Sequence, residues 1–508
     1  MLGCSVLLFP TIFWPFDYDQ GTFAYGGWAV LHGLRPYIDF WDIKPPNIFY
    51  TYAAAFSVFG NSVRAIRILD YLNALVCIGL LYELTLRLWR EPWSRVAAIF
   101  AALAFIVQYY IFGSWNTAQT ETYSIPFLLG AMLLIVPRNE NSHARGVLRP
   151  LLAGIFIGIS FYFKFPNVLF GILVAAAIWF YNREERWKSI GWLVAGCVAA
   201  IGIESAYLAL AGELAPLWKL TTSETASYVS SNYSGSFTIL RNIRTSLEAI
   251  DLLWVLAALL GWILWFFRKK ESNSFSWKAL GLSLLGCFLA LVIVQAENKG
   301  YTYHYGILLP WADLLIGVGI ANLIVFLARL DRLPVAPHVA AFSIFLIVGS
   351  FLWSSRTPLE GRMNELIRIA NGSERPNGYV AGDSIADYVS AHTAPKDRIF
   401  IFGFQPYVYW KTGRQLASKF INTIHFKPAH VPPEERAELL HDLIGNPPQL
   451  FLVETQDRYT SQGNTDDDSR TTIRLRYPEL EQLLDDQYTP ADTIQQTIIY
   501  RKRHGLTR

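Results

Sequence analysis

The chain has 508 residues, of which 53% are hydrophobic and only 16% charged, with a positive mean hydropathy; an ordinary soluble domain carries roughly 25% charged residues. The net charge of +3 comes without a dense basic stripe of the kind that neutralises phosphates, so no nucleic-acid role is assigned. Of the 83 charged residues, 39 lie after residue 355, which predicts an α-helical polytopic membrane region over 1–355 followed by a water-exposed domain over 356–508.

Residues 1–16 are apolar but lack both a basic start and a small-residue cleavage site, so they read as a first transmembrane helix rather than a signal peptide. Against the roughly 20 residues needed to span a bilayer this segment is short, which points to a start further upstream. Apolar segments then recur at about 64–88, 93–112, 122–137, 148–164, 167–181, 189–211, 247–267, 277–295, 304–327 and 337–355. About eleven transmembrane helices are expected in all. Residues 46–60 are apolar too, but they are short and opened by two prolines, the pattern of a helix lying at the interface.

If 46–60 does not cross, the basic residues around Arg90, Arg145, Arg186, Lys269 and Arg329 fall on one side, which the positive-inside rule makes cytoplasmic. The loop that begins at residue 17, the turn at Glu121, the hairpin at Lys164, the long 212–246 loop, the NKGYTYHYG loop and everything after 355 then face the opposite, extracytoplasmic side. The four cysteines, Cys4, Cys77, Cys197 and Cys287, all lie in apolar segments, so neither a disulfide framework nor a Cys-rich zinc site is available. From about 378 the pattern alternates: SIADYVSAHT, PEERAELLHDLI and PELEQLLDD read as helices, RIFIFGF and QLFLVE as strands, and TIQQTIIYRK as an exposed or edge strand. This predicts a small α/β domain.

The most informative stretch is DYDQGTFAYGGWAVLHGLRPYIDFWDIKPP, residues 17–46, which sets four aspartates and a lysine directly after an apolar segment. Carboxylates at the mouth of a membrane helix are costly and therefore usually functional. An opening aspartate, Phe23 four residues after Asp19, then G-x-x-P-Y-x-D and K-P-P, resemble the first extracytoplasmic loop of C-superfamily (GT-C) integral-membrane glycosyltransferases. The nearest resemblance is to the bacterial relatives of protein mannosyltransferases and aminoarabinose transferases. It is concentrated in residues 17–60 and, more weakly, around 299–310.

This resemblance implies transfer of a monosaccharide from a polyprenyl-phosphate donor to a glycolipid, surface polysaccharide or protein acceptor outside the cytoplasm, with inversion, by an enzyme of the plasma (inner) membrane. It gives Asp19 the role of catalytic base, with Asp17 as a substitute; the competing reading is a pair of helix-capping aspartates. Lys44 is implied to neutralise the donor phosphate, against a snorkelling interfacial lysine. Asp39 or Asp42 would orient the acceptor or the lysine. Arg64 and Arg67 either add to the cationic site or anchor their helix. Lys164 is placed near the donor phosphate or snorkels, and Glu121 either touches substrate or faces a helix dipole.

Lys299, Tyr303 and His304 match the family's late motif, with Tyr303 seven residues before Pro310, and are implied to contact the donor head group; aromatics at this depth also serve as interface anchors. Gln20 stands where relatives commonly have glutamate, which removes support for a borrowed metal role, and one histidine without a second ligand adds little. No metal or other cofactor is assigned. FGFQPYVYWKTGRQLASKF in the C-terminal domain resembles a segment of these enzymes to which no catalytic residue is attached. Two rivals remain: a lipid-linked sugar flippase or transporter, which would place its polar groups near the bilayer midplane, and a non-catalytic glycan-assembly protein.

Overall fold

The computed structural model describes residues 2–89, 93–138, 146–182, 184–224, 252–267, 277–297, 301–330, 334–354, 377–427, 431–458 and 467–503. They form two compact units. The first comprises residues 1–14, 66–206 and 238–372, and the second 15–65, 207–237 and 373–508.

The first unit is helical. Among the described residues, five helices of the chain are long and apolar enough to cross a membrane: Val63–Leu88, Ser94–Asn116, Arg186–Leu210, Trp277–Glu297 and the stretch Thr302–Leu330. Shorter apolar helices occupy Thr120–Ile135, Leu148–Phe161, Phe165–Tyr181, Leu252–Phe267 and Val335–Ser350. Within the described residues the expected segments after residue 60 are mainly helical, and the protein is a membrane protein. The N-terminal stretch is a seven-residue helix, Leu2–Leu8, followed by a 3-10 turn, Phe9–Phe13, with Pro10 interrupting the backbone donors.

Small residues bring these helices into backbone contact. A Cβ at Gly261 would fall into the main chain at Gly319, so Leu252–Phe267 and Leu309–Leu330 meet without intervening side chains. In lipid, where apolar side chains gain little by leaving the solvent, such close approach supplies dispersion contacts in place of hydrophobic burial.

In the second unit, the stretch expected as a loop from residue 17 opens instead with a helix, Tyr18–Leu31. The cause is local: Asp17 and Gln20 form a capping box, in which the Asp17 carboxylate accepts from the backbone of Gln20 and Gln20 Oε1 accepts from the Asp17 amide at 2.9 Å. Gly26 and Gly27 let this helix pack on Phe49, Tyr52 and Ala53 of the next helix, Asn47–Phe59. That helix is the short proline-led segment, and it ends at Gly60 with φ 85°, a left-handed conformation that glycine adopts without steric cost.

The C-terminal residues build a five-stranded sheet in the order β2-β1-β3-β5-β4, with β1 at Arg398–Phe402, β2 at Gln415–Leu416, β3 at Leu450–Glu454, β4 at Tyr488–Ile494 and β5 at Thr497–Lys502. The pairs β1–β2 and β1–β3 are parallel, while β3–β5 and β5–β4 are antiparallel. RIFIF and LFLVE are buried apolar runs, as parallel strands covered on both faces require. The last strand lies inside the sheet, and the edge falls to β4, whose exposed threonine, proline and aspartate suit an unpaired edge. Helices Asn377–His392, Pro406–Thr412, Pro433–Gly445, Ser469–Arg476 and Pro478–Gln487 complete the α/β arrangement.

This domain and the helices 18–59 share one aromatic core. Trp410 lies 5.5 Å from Phe16 and 6.0 Å from Phe56, and its indole N–H donates to Asn61 Oδ1 at 2.7 Å. Phe23 meets Tyr52 edge-on, and Phe40 meets Phe49. Each such ring, fully buried, contributes about 1.5–3 kcal/mol. Trp41 donates its amide to the Lys419 carbonyl at 2.9 Å and stacks on His425 at 4.0 Å.

Candidate active site

In the second unit, Asp17 is the N-cap of Tyr18–Leu31 and Asp19 lies in its first turn, where the helix dipole favours negative charge. The capping reading therefore applies to Asp17. Gly33 turns the chain out of the helix with φ 78°. Asp39 then pairs with Arg35: the Arg35 amide donates to Asp39 Oδ2 at 2.7 Å and its Nε lies 3.2 Å from the same oxygen.

Asp42 is buried and accepts from the Lys44 amide at 2.8 Å, and the Tyr37 hydroxyl donates to the Lys44 carbonyl at 2.8 Å. Lys44 is thus held by its main chain on both sides. Burial pushes Asp42 up to about 6, with the Lys44 contacts opposing and the Asp19 charge adding to the rise. Asp19, Asp42 and Lys44 accordingly form one electrostatic neighbourhood. Arg64 is exposed at the first turn of Val63–Leu88.

Glu213, absent from the sequence reading, faces the same loop. It accepts from the Tyr50 hydroxyl at 3.3 Å, and burial raises it while the Arg35 charge lowers it. No local pattern marks this residue, because its partner lies 163 positions earlier.

The first unit gathers a different set. Arg67 is fully buried and donates to Trp14 O at 3.3 Å, Thr117 Oγ1 at 3.1 Å and Ser114 O at 3.1 Å, with Asp70 Oδ2 at 3.8 Å. Asp70 in turn accepts from the Tyr109 hydroxyl at 2.5 Å and the Ala118 amide at 3.0 Å. This is the anchoring arrangement for Arg67: a charge pair that pins the chain around residues 14, 67–70 and 114–118. Asp70 was not among the sequence candidates.

Glu121 follows the Gln119 cap of Thr120–Ile135 and is buried. The Lys164 ammonium pairs with Glu121 and, at 2.6 Å, with Glu297 Oε1; Glu297 Oε2 also lies 2.9 Å from His304 Nδ1. Tyr303 packs edge-on to His304 at 4.5 Å and stacks on Tyr301. The fold thus gives His304 the acidic neighbours it lacked in the sequence. Donor atoms of Glu121, Glu297 and His304 lie within 4.8 Å of one another and could hold a metal ion, though a cation there would compete with the Lys164 ammonium for both carboxylates. Glu297 was not a candidate, and Lys299 lies outside the described residues.

Among solved structures, the fold matches that of ArnT from Cupriavidus metallidurans bound to undecaprenyl phosphate, with a TM-score of 0.62, 12% identity, and coverage of 99% of this chain and 97% of that one. It also matches the Archaeoglobus fulgidus oligosaccharyltransferase in the apo form, at TM-score 0.51, 11% identity, 89% of this chain and 69% of that chain. The archaeal oligosaccharyltransferase AglB from the same organism, in complex with an inhibitory peptide and a dolichol-phosphate, matches at TM-score 0.51, 9% identity, 89% and 68%. No curated protein sequence matches. The chain thus shares the fold of these solved structures. Residues 43–209 match the family described as dolichyl-phosphate-mannose-protein mannosyltransferase, the affinity suggested by the loop at 17–60.

Proposed function

We propose that the protein transfers a monosaccharide from a polyprenyl-phosphate carrier to an extracytoplasmic glycolipid, surface polysaccharide or protein, with inversion at the anomeric carbon. The observation that carries this reading is the grouping of Asp19, Asp42 and Lys44. A carboxylate at a helix N-terminus sits in the same electrostatic neighbourhood as a lysine whose main chain is fixed by Asp42 and Tyr37. Such a transfer needs a base for the acceptor hydroxyl and a cation for the departing phosphate. The carriers named for the similar folds, undecaprenyl phosphate and dolichol-phosphate, support a lipid-phosphate donor.

In this reading Asp19 takes the acceptor proton, since the Asp17 carboxylate already serves the helix cap. Lys44 meets the phosphate, Asp42 orients Lys44, and Arg64 adds positive potential. Asp39, paired with Arg35, shapes the loop. Separately from that group, Lys164, Tyr303, His304 and Lys299 are proposed as donor head-group residues. Lys164 already directs N–H donors at Glu121 and Glu297, which leaves one of its three for a phosphate oxygen.

The enzyme would lie in the plasma (inner) membrane with eleven spans, an interfacial helix at 47–59 and residues 356–508 outside the cytoplasm. Mass spectrometry of membrane glycolipids, surface polysaccharides and glycoproteins, with and without the gene, tests the activity. One class should lose a single sugar; unchanged glycans in all three would refute the reading. Single cysteines labelled by an impermeant reagent in intact cells test the topology: labelling at Glu121 and not at Arg90 is expected, and the reverse would require 46–60 to span.

A further inference from the structure

In the second unit, the carboxyl ends of the parallel strands β1 and β3, where open α/β sheets usually take ligands, are filled by the chain itself. In the turn after β1, the Phe404 amide donates to the Glu454 carboxylate at 2.5 Å and Gln405 Nε2 donates to it at 2.8 Å. The Phe404 ring stacks on Tyr18 at 5.2 Å. A pocket of only about 30 Å³ is left beside Asp17.

The opposite end of the sheet is open. A cleft of about 400 Å³ lies there against the end of helix Asn377–His392, lined by Ala391, His392, Thr393, Ala394, Gln449 and Arg501. Gln449 immediately precedes β3, and Arg501 pairs with Leu450 of β3 and Thr489 of β4, so the sheet holds both backbones in place. The volume falls within the roughly 300–1,000 Å³ of small-molecule sites, yet the lining departs from their mainly apolar pattern. Its wholly apolar side chains are two alanines, which suits a hydrophilic ligand.

Arg501 gives that ligand a charge. Its Nε–H is buried and has no acceptor among the described residues. A buried N–H without a partner is rare, because its lost hydration goes uncompensated, and a guanidinium offers paired N–H groups that match two oxygens of a phosphate or carboxylate. Gln449 adds a primary amide, which both donates to and accepts from hydroxyls. His392 donates from Nδ1 to the Tyr388 carbonyl at 2.8 Å, which leaves Nε2 for a ligand. The carbonyls at the end of the helix would repel an anion, but Arg414 covers them, donating to Ser390 O at 3.4 Å and Thr393 O at 2.8 Å. The neighbouring carboxylate of Asp397 is occupied as acceptor of the Ala394 amide at 2.7 Å.

We propose that this cleft binds an anionic saccharide, whose phosphate or carboxylate seats on Arg501 and whose hydroxyls meet Gln449 and His392. The site is separate from the group around Asp19 and Lys44, and the proposal does not depend on the glycosyl-transfer reading.

The test uses the full chain in nanodiscs of neutral lipid, so that no anionic lipid competes. Isothermal titration calorimetry compares glucose 6-phosphate, glucuronate, inorganic phosphate and glucose. The wild type should bind at least one of the two anionic sugars more tightly than it binds glucose or inorganic phosphate, and the tighter of the two identifies the oxyanion. Arg501→Gln should weaken that binding about 10–100-fold, the loss expected for a charged hydrogen-bonded pair. Ala391→Leu fills the cleft from the helix side and should weaken it as well, which keeps the test valid if the first variant misfolds. Equal binding in the wild type and both variants overturns the site, as does a wild type that binds neither anionic sugar. Glucose bound as tightly as the anionic sugars overturns the role of Arg501, and inorganic phosphate bound as tightly overturns the saccharide.

Discussion

Two lysines in this protein are held in opposite ways. Lys44 is gripped by its main chain, with Asp42 two positions before it and Tyr37 seven positions before it. Lys164 is gripped by its charge, between Glu121 and Glu297, which lie 43 and 133 positions away. Fixing a backbone aims a side chain while leaving its chemistry to be used; pairing an ammonium with two buried carboxylates satisfies that charge internally. The first arrangement suits contact with a substrate phosphate, and the second suits cohesion of a helical unit or a site that opens only when another cation or anion enters.

The largest expected effect tests what the first arrangement is for. Asp19→Asn keeps the shape and cannot take a proton, so turnover of purified protein with a lipid-linked donor should fall about 10²–10⁴-fold. Asp17→Asn should mainly cost cap stability, on the order of 0.5–2 kcal/mol. Near-normal turnover in Asp19→Asn with loss in Asp17→Asn would exchange their roles.

Lys164→Met probes the second arrangement by leaving Glu121 and Glu297 buried without their cation. Removing one member of a buried pair costs about 3–5 kcal/mol, visible as a large drop in thermal stability in detergent. A variant as stable as wild type would show that the carboxylates find other partners and that the comparison between the two lysines is false.

For Lys44, the alanine variant should bind undecaprenyl phosphate about 10–100-fold more weakly, the equivalent of about 1.5–3 kcal/mol for a charged hydrogen bond, and Lys44→Arg should recover much of it. Equal affinity in wild type and Lys44→Ala would reduce Lys44 to an interfacial anchor.

The smallest effect is a pH dependence. Asp42 is raised to about 6 by burial, above its unfolded value near 3.9, so the folded state binds the proton more tightly. Its contribution to stability is full below about pH 4 and declines as pH rises through about 6. Activity should run the other way, falling below about pH 6 as the protonated carboxyl loosens its hold on the Lys44 amide. Asp42→Asn should flatten the stability change; an unaltered profile would place the titration elsewhere.

In the C-terminal domain, His425 shows how geometry alone can mislead. It lies 3.7 Å from Glu435, yet burial against Trp41 pushes it down to about 3, so the ring is neutral and the contact is no salt bridge.

What the sequence determined by itself is what short-range physics encodes. The apolar segments became helices because only internally hydrogen-bonded backbone survives in lipid, and the alternation after 378 became a sheet with flanking helices. Asp19, Asp42 and Lys44 were legible as a group because fewer than thirty residues separate them. Even the helix Tyr18–Leu31, read as loop, was announced locally by the Asp17–Gln20 capping box, a signal obscured by the two glycines at 26 and 27. Tertiary structure alone decided the rest. It placed Glu297 between Lys164 and His304, Glu213 against Tyr50, Asp70 under Tyr109, and Glu454 beneath the turn that brings Gln405 to Asp17. A buried carboxylate is tolerated only where distant donors converge on it, and that convergence is a property of packing that no stretch of residues carries on its own.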